Sequence, residues 1–207
     1  MDPKNDNSPR LGIMGGTFDP IHLGHLKIAG IARAEFHLKK VIFVTAHCPP
    51  HKSIKDITPA EHRYAMVDLA IRDIPYFESS RIEMERSCPS YAGDTILALK
   101  ELYGIRWQFF FISGLDAIVN IINWDKARTY PGICQFIAVT RSGYSREEIE
   151  KKIPGEFLPY ISIIEDPFLS ISSTEIRTRE KNSQPIEEMV PEAVQNYILK
   201  WDLYQDR

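Results

Sequence analysis

Apolar runs of strand length alternate along this chain with segments whose apolar residues recur at helical spacing. This alternation restricts the possible folds more than any other feature of the sequence. The predicted strands are Leu11–Met14, Val41–Thr45, Trp107–Ile112 and Phe136–Val139. Largely apolar runs of this length indicate strands that are buried on both faces. Strands interleaved with helices predict an α/β fold with a parallel, doubly wound sheet, which binds ligands beyond the carboxyl ends of its strands.

The segments between the strands carry helix signals. Residues 26–32 show helical spacing, and Thr58–Glu61 supplies an N-cap, a proline at the first helical position and a capping-box glutamate. A further helix is predicted over Thr95–Leu102, closed by Gly104. Residues 184–207 are predicted to form one or two helices that pack back on the domain.

Size and composition exclude several classes of protein. A chain of 207 residues suits a single domain over 1–207, here with a polar tail at 1–10. The formal net charge of −3 argues against a general nucleic-acid binder. Three scattered cysteines, Cys48, Cys88 and Cys134, predict a reducing cytoplasm and no disulfide framework. No secretory-type apolar segment and no run of about 18 apolar residues occurs, which predicts no membrane association.

The segment Gly15–His25, between the first strand and the first helix, carries the strongest chemical signal. Its glycine pair allows the backbone to approach a ligand closely, and the helix start offers unpaired N–H groups to an anion. His22 and His25 are three residues apart, which places them on one face of the first helical turn. The segment lacks the patterns of the P-loop and of dinucleotide-binding turns. We therefore predict a phosphate site of a different kind.

A second helix start, Ile171–Arg177, has the same potential. Ser172 and Glu175 have capping-box spacing, so the N–H groups and hydroxyls of this turn could face a phosphate. Arg177 lies one turn into the helix and could reach the same anion. Taken alone, the segment is better explained as an ordinary capped surface helix.

Together, Gly-Gly-Thr-Phe-Asp-Pro-Ile-His-x-Gly-His at 15–25 and Ile-Ser-Ser-Thr-x-Ile-Arg at 171–177 resemble the two signatures of the H-x-G-H nucleotidyltransferase superfamily. The first is most similar to that of bacterial nicotinate mononucleotide adenylyltransferases. The resemblance covers Leu11 to about Arg179 and implies a Rossmann-like nucleotidyltransferase fold with a small C-terminal helical extension. It implies adenylyl transfer from ATP to nicotinate mononucleotide by direct in-line attack, giving deamido-NAD and pyrophosphate. Mg²⁺ would be delivered with ATP, with no dedicated protein metal site, and the protein could be a monomer or a homo-oligomer.

The resemblance also assigns residues to roles. Its implied catalytic residues are His22, His25, Lys52 and Arg177. The implied ATP-binding residues are Gly15, Gly16, Thr17, Phe18, His22, His25, Gly114, Asp116, Ile171, Ser172, Ser173, Thr174 and Arg177. The implied mononucleotide-binding residues are Gly16, Lys52, Tyr91, Ala92, Thr95, Asp116, Trp124 and Arg141.

Two positions depart from the pattern of the family. Ala92 replaces the threonine of Pro-Ser-Tyr-Thr-x-Asp-Thr, so that a backbone contact would survive there but a hydroxyl contact would not. Leu115 replaces the smaller alanine of Gly-Ala-Asp-Ala. Structural roles also stay open for some of the implied residues: Trp124 could be a core tryptophan and Lys52 a solvated loop residue.

Three other functions are compatible with parts of the sequence. Phosphopantetheine adenylyltransferases share a similar H-x-G-H string but lack the Pro-Pro-His-Lys segment found at 49–52. A nucleotide-binding sensor without catalysis is another alternative. A metal-binding module is the third, and its possible ligands are His22, His25, His47, His51 and Cys48. The sequence leaves the preference between nicotinate and nicotinamide mononucleotide open.

Overall fold

The computed structural model describes residues 8–50, 52–122, 132–141, 148, 151–166 and 171–205. The strands in this part of the chain are β1 (Arg10–Gly16), β2 (Lys40–Thr45), β3 (Phe77–Ser80), β4 (Gln108–Gly114), β5 (Cys134–Arg141) and β6 (Ile161–Asp166). The α-helices are α1 (Leu23–Glu35), α2 (Ala60–Ile71), α3 (Ala92–Tyr103), α4 (Leu115–Ile122), α5 (Ser173–Lys181) and α6 (Glu192–Lys200). Single 3₁₀ turns lie at Ile54–Asp56 and Leu158–Tyr160.

The strands form one parallel sheet in the order β3-β2-β1-β4-β5-β6. The prediction of a doubly wound parallel sheet is confirmed. From β1 the chain adds β2 and β3 toward one edge of the sheet, and it then returns to add β4, β5 and β6 toward the other edge. The order of strand addition therefore reverses between β1 and β4. Ligands of such sheets bind at this switch point, beyond the carboxyl ends of the strands. Here those ends are Gly15–Gly16 of β1 and Ser113–Gly114 of β4.

Side chains of successive strand residues point to opposite faces of the sheet, and both faces are covered. Met14 and Phe43 belong to a core with buried residues of α1, α2, α5 and α6. Ile13 and Phe136 belong to a second core, with α3 and α4. Of the helices in the described ranges, none has both the length and the apolar character needed to cross a bilayer.

The four predicted strands are confirmed, but β3 and β6 were not predicted. Both lie at the edges of the sheet, where polar residues are tolerated. The sequence of β3 is Phe-Glu-Ser-Ser, and β6 carries an acidic pair at its end. Short strands with these compositions lack the apolar run by which central strands can be recognised.

Two predicted helix starts are wrong. Helix α3 begins at Ala92, three residues before the predicted Thr95, although Gly104, at φ 84°, ends it as expected. The capping box predicted at Thr58–Glu61 does not form. The Glu61 carboxylate pairs with Arg81 at 2.6 Å, and the Thr58 N–H donates to the Asp19 carboxylate at 3.1 Å. Tertiary partners therefore replace the local cap.

The prediction of a C-terminal helical segment that packs on the domain is confirmed. Helix α6 contributes buried Val194 and Ile198 to the core that contains α1 and α2. Beyond it, Tyr204 is only 4% exposed, and its hydroxyl donates to Asp19 Oδ1 at 2.9 Å. The carbonyl oxygen of Met189 accepts a hydrogen bond from the Leu23 N–H at 2.9 Å, which satisfies one unpaired donor at the start of α1.

Tyr204→Phe is expected to lower the free energy of unfolding by about 1–2 kcal/mol, because Asp19 loses a buried hydrogen bond. Urea denaturation would measure the loss. Tyr160→Phe, in a half-buried 3₁₀ turn, is the control and should change stability by less than about 0.5 kcal/mol. Equal stability of Tyr204→Phe and the wild type would show that the tyrosine–aspartate contact does not stabilise the fold.

Candidate active site

Gly16, the last residue of β1, and Gly24, in the first turn of α1, allow aromatic rings to approach the backbone. A Cβ at Gly16 would lie 2.9 Å from the Phe18 ring, closer than real Cβ contacts. A Cβ at Gly24 would lie 3.0 Å from His22 Nδ1. The glycine between the two histidines therefore makes room for the first imidazole over the start of α1.

His22 and His25 are stacked, with ring centroids 3.6 Å apart and an interplanar angle of 26°. This confirms that they share one face of the first helical turn. His22 is the N-cap residue of α1, and its N–H donates to His25 Nδ1 at 3.2 Å. Because Nδ1 accepts this bond, the proton of neutral His25 is on Nε2, the other ring nitrogen.

Both imidazoles are neutral near pH 7. Burial lowers the pKa of His22 to about 4, and burial together with the charge of His22 lowers the pKa of His25. In the unliganded protein these side chains therefore act as hydrogen-bonding groups rather than as fixed cations. An anion bound against them would raise their pKa values, since an opposite charge favours the protonated form.

The His22 side chain has an unused polar atom. Nδ1 is buried and has no hydrogen-bond partner among the described residues. Buried polar atoms are normally paired, and Nδ1 lies over the first turn of α1, 3.0 Å from the position of a Gly24 Cβ, so its nearest donors are the N–H groups of that turn.

Helix α5 docks its first turn on the glycine-rich turn. Arg177 Nη1 donates to the Asp19 carbonyl at 2.8 Å, and Ser173 Oγ donates to the Pro20 carbonyl at 2.9 Å. The two helix starts predicted to bind phosphate are therefore in direct contact. Arg177 joins them, because its guanidinium binds the backbone of the glycine-rich turn at Asp19.

Ser172 is the N-cap of α5, as predicted, and its hydroxyl accepts a hydrogen bond from the Glu175 N–H at 3.1 Å. The other half of the predicted capping box is not seen. The Glu175 carboxylate instead pairs with Arg179, one turn later, at 3.0 Å. The start of α5 therefore keeps N–H groups available.

A cleft of about 540 Å³ opens between α1, α5 and the ends of β1, β4 and β5. Its wall consists of Met14, Gly15, Gly16, His22, His25, Ile28, Ser113, Gly114, Leu115, Asp116, Ala117, Val139, Thr140, Ile171, Ser172 and Ser173. Nine of the predicted ATP-binding residues are in this set. The other four lie outside the wall: Thr17 lines a neighbouring cavity, Phe18 packs edge-on against His25, and Thr174 and Arg177 contact each other.

A second cavity of about 350 Å³ lies on the other side of the β1 end. Its wall consists of Gly15, Gly16, Thr17, Ala46, Pro49, Pro50, Lys52, Glu83, Ser90, Ala92, Phe111, Ser113, Ala117, Asn120 and Ile121. The Lys52 side chain is exposed, yet the protein around its stem and the positive charge of Arg177 lower its pKa. Of the predicted mononucleotide-binding residues, Gly16, Lys52 and Ala92 therefore line one cavity.

Other predicted mononucleotide-binding residues are placed differently. Asp116 lies on the rim of the first cleft with a largely exposed carboxylate, 3.8 Å from Lys152 Nζ. Tyr91 is the exposed N-cap residue of α3. Arg141 ends β5, and its side chain lies outside what the structure describes, as does Trp124 entirely.

Thr95 is buried beneath the second cavity in a network that the sequence did not predict. Its hydroxyl contacts the Glu83 carboxylate at 2.5 Å and accepts from Arg86 at 2.6 Å. The second oxygen of Glu83, Oε2, is buried in the cavity wall without a partner in the described part of the chain. Thr95 thus reaches the cavity only through Glu83, whose position depends on the unpredicted strand β3.

Arg63 was also missed by sequence reasoning, although it binds two segments that border the smaller cavity. It is fully buried on α2, and its guanidinium donates to four backbone carbonyls at 2.7–3.2 Å. The acceptors are Thr58, Thr17, Ala46 and His47. A single side chain therefore ties the glycine-rich turn to the loop that follows β2.

The prediction that the cysteines form no disulfide is wrong for one pair. Cys48 and Cys88 are bonded, because the loops that follow β2 and β3 lie side by side. Cys134 is free and buried. Among the described residues, His47, Cys48 and Cys88 form the one cluster of three potential metal ligands, which does not include His22 or His25. The metal module proposed from the sequence is therefore not assembled as expected, and His51 lies outside the described residues.

The chain matches the cytidylyltransferase-like family over residues 13–179. It is 48% identical over 201 residues to a probable nicotinate-nucleotide adenylyltransferase of Moorella thermoacetica, covering 96% of this chain and 93% of that protein. A protein of the same name from Thermoanaerobacter sp. is 45% identical over 202 residues, covering 95% and 94%. Among solved structures, Plasmodium falciparum nicotinic acid mononucleotide adenylyltransferase complexed with NaAD superposes with a TM-score of 0.75. It is 26% identical, over 96% of this chain and 98% of that one.

Proposed function

Because the chain belongs to the cytidylyltransferase-like family, and within it to the nicotinate-nucleotide adenylyltransferases, we propose that it transfers the adenylyl group of ATP to nicotinate mononucleotide. The products are deamido-NAD and pyrophosphate, and the reaction is a step of NAD biosynthesis. The two relatives are named as nicotinate-nucleotide adenylyltransferases, and the alignment covers nearly their whole length. The same holds for the solved structure that contains NaAD.

The observation that carries the proposal is the junction of the two cavities at Gly15 and Gly16. Both cavities include these glycines, together with Ser113 of β4 and Ala117 of α4. A nucleotide in the larger cleft and a mononucleotide in the smaller one would therefore bring their phosphates together over the backbone of β1. A reaction between two phosphates requires this arrangement.

In this reaction a phosphate oxygen of nicotinate mononucleotide attacks the α-phosphorus of ATP, and the bond to the bridging oxygen of pyrophosphate breaks. No covalent enzyme intermediate is needed, so catalysis consists of positioning and charge stabilisation. His22 and His25 line the cleft where negative charge increases, and the Nε2–H of His25 is free of the bond that Nδ1 accepts from His22. Lys52 approaches from the mononucleotide side, and Arg177 and Ser173 hold the glycine-rich turn in place.

Mg²⁺ enters this proposal as part of the MgATP substrate. The three-ligand cluster in the described residues is made of sulfur and imidazole, which suits Mg²⁺ poorly. Asp116 is the acidic residue on the described wall of the larger cleft, and the family resemblance assigns it to the binding of both nucleotides. We propose a cytoplasmic enzyme with small-molecule substrates and no nucleic-acid partner.

A side-by-side assay tests the proposal. The purified protein is incubated with MgATP and with nicotinate mononucleotide, its amide or phosphopantetheine, and pyrophosphate release is followed. We expect the highest kcat/KM with nicotinate mononucleotide and deamido-NAD as the chromatographically identified product. Pyrophosphate release with phosphopantetheine alone would favour a phosphopantetheine adenylyltransferase. Nucleotide binding without pyrophosphate release would favour a sensor.

Acidification is expected to destabilise the fold through His22. Folded His22 is neutral down to about pH 4, whereas the unfolded chain takes up its proton near the ordinary value of 6.5. The unfolded state therefore binds more protons in this window, and stability that is present above pH 6.5 is lost as the pH falls toward 4. The loss due to this one group is about 3 kcal/mol.

His22→Asn isolates this contribution, because asparagine is a favourable N-cap residue that does not titrate. The free energy of unfolding in urea, measured from pH 7 to pH 4, should fall less steeply in the variant than in the wild type. Parallel curves for the two proteins would show that His22 does not stay neutral in the folded state.

A further inference from the structure

The two loops that wall the smaller cavity are joined by cysteines that the proposed reaction does not use. Cys48 follows β2 and Cys88 precedes α3, with their Cα atoms 5.5 Å apart. The same loops exchange two hydrogen bonds: the Cys48 N–H donates to Ser90 Oγ at 3.1 Å, and the Ser90 N–H donates to the Cys48 carbonyl at 2.9 Å. The cysteine pair therefore lies where its chemical state can affect the cavity wall.

An imidazole completes a set of three ligand atoms. A ring nitrogen of His47 and the two sulfurs all lie within 4.8 Å of one another. His47 Nδ1 is also 3.4 Å from the Arg86 carbonyl oxygen. Ligand histidines commonly contact a backbone carbonyl in this way, which fixes the orientation of the ring. Two thiolates and one imidazole form a donor set that suits Zn²⁺, with a fourth position open to water.

The cluster is accessible from one side. Cys88 is exposed, whereas Cys48 is only 7% exposed and His47 is half-buried. A phosphine reductant can open the bridge: each sulfur receives one proton, and the phosphine takes the oxygen of a water molecule to become the phosphine oxide. The two thiols then lose their protons to solvent when they bind a dication, so the charge of the ion is balanced.

We propose that His47, Cys48 and Cys88 form a zinc site when the bridge between the cysteines is reduced. Two thiolates at about 2.3 Å from one tetrahedral ion lie about 3.8 Å apart, a separation that these neighbouring loop positions can supply. The ion would then connect the same two loops as the disulfide does. The metal site itself does not depend on the proposed reaction; only its effect on mononucleotide binding does.

Zinc binding by the reduced full-length chain tests the site directly. In competition with a chromophoric chelator, the wild type is expected to bind one equivalent of Zn²⁺. Cys88→Ser should bind at least about 100-fold more weakly, because it loses a thiolate from an exposed position. Cys134→Ala, which removes a buried cysteine whose thiol pKa is raised by burial, is the matched control and should bind like the wild type. A reduced wild type that binds no zinc, or a Cys88→Ser variant that binds as tightly, would overturn the proposal.

Kinetics test the connection between the loops. The KM for nicotinate mononucleotide is compared in the oxidised, the zinc-loaded and the reduced, chelator-treated protein. We expect similar values in the first two states and a several-fold higher KM in the third, with kcat little changed. One KM for all three states would refute a role of the ion in holding the cavity wall. A complete lack of activity would contradict the proposed function and leave the zinc titration interpretable.

Discussion

His25→Asn is expected to lower kcat for adenylyl transfer by two to three orders of magnitude, which is typical for loss of one donor that stabilises a transition state. Asparagine can still accept the hydrogen bond from the His22 N–H, because its oxygen occupies approximately the place of Nδ1. It has no group in the place of Nε2. The variant therefore removes the ring N–H that could donate to a phosphate and keeps the bond that orders the helix start.

Two further variants make this result specific. His25→Gln places an amide near the position of Nε2 and should recover part of kcat. His37→Asn changes an exposed histidine after α1 at φ 52°, a conformation that asparagine tolerates, and should leave kcat unchanged. Initial rates at saturating MgATP and mononucleotide provide the comparison. A kcat of His25→Asn within tenfold of the wild type would exclude the assigned role.

Arg63→Met is expected to lower the free energy of unfolding by about 4 kcal/mol and the melting temperature by about 10 °C. Methionine fills much of the volume of the arginine side chain, but it leaves four backbone carbonyl oxygens without this donor. Two of these carbonyls, those of Thr17 and Ala46, belong to residues that line the smaller cavity, which we propose binds the mononucleotide. The KM for nicotinate mononucleotide should therefore rise as well.

Arg63→Lys tests whether the positive charge alone is sufficient or the guanidinium is required. It keeps the charge, but an ammonium group cannot span acceptors on the glycine-rich turn and on the loop after β2 at once. Its stability should lie between those of the wild type and Arg63→Met, as measured by thermal and urea unfolding. If Arg63→Met melts at the wild-type temperature, the guanidinium does not hold these loops together.

The central part of the fold could be predicted from the sequence because buried parallel strands have an apolar signature. Strands β1, β2, β4 and β5 carry it, and their order along the chain fixes the helical crossovers between them. The edge strands β3 and β6 lack this signature, so the full width of the sheet could not be predicted. The expected capping box before Ala60 did not form because Asp19 and Arg81 bind its two residues. Helix α3 begins three residues earlier than predicted, at Ala92.

Those residues of the site that belong to contiguous sequence motifs could be predicted. His22 and His25 lie where their spacing placed them, and Ser172 caps its helix. Arg63 and Glu83 belong to no motif that local rules can recognise, since their roles arise from loops that meet only in the folded sheet. The disulfide was missed for the same reason, because Cys48 and Cys88 are 40 residues apart in sequence.

The hydrogen bond between Tyr204 and Asp19 spans 185 positions of the sequence. On the ribosome, the first histidine motif leaves the exit tunnel long before the tyrosine that secures it has been translated. Throughout that interval the nascent chain can pair its central strands, but the Asp19 carboxylate still lacks its tyrosine donor. The glycine-rich turn therefore gains its tyrosine contact only after residue 204 has been translated.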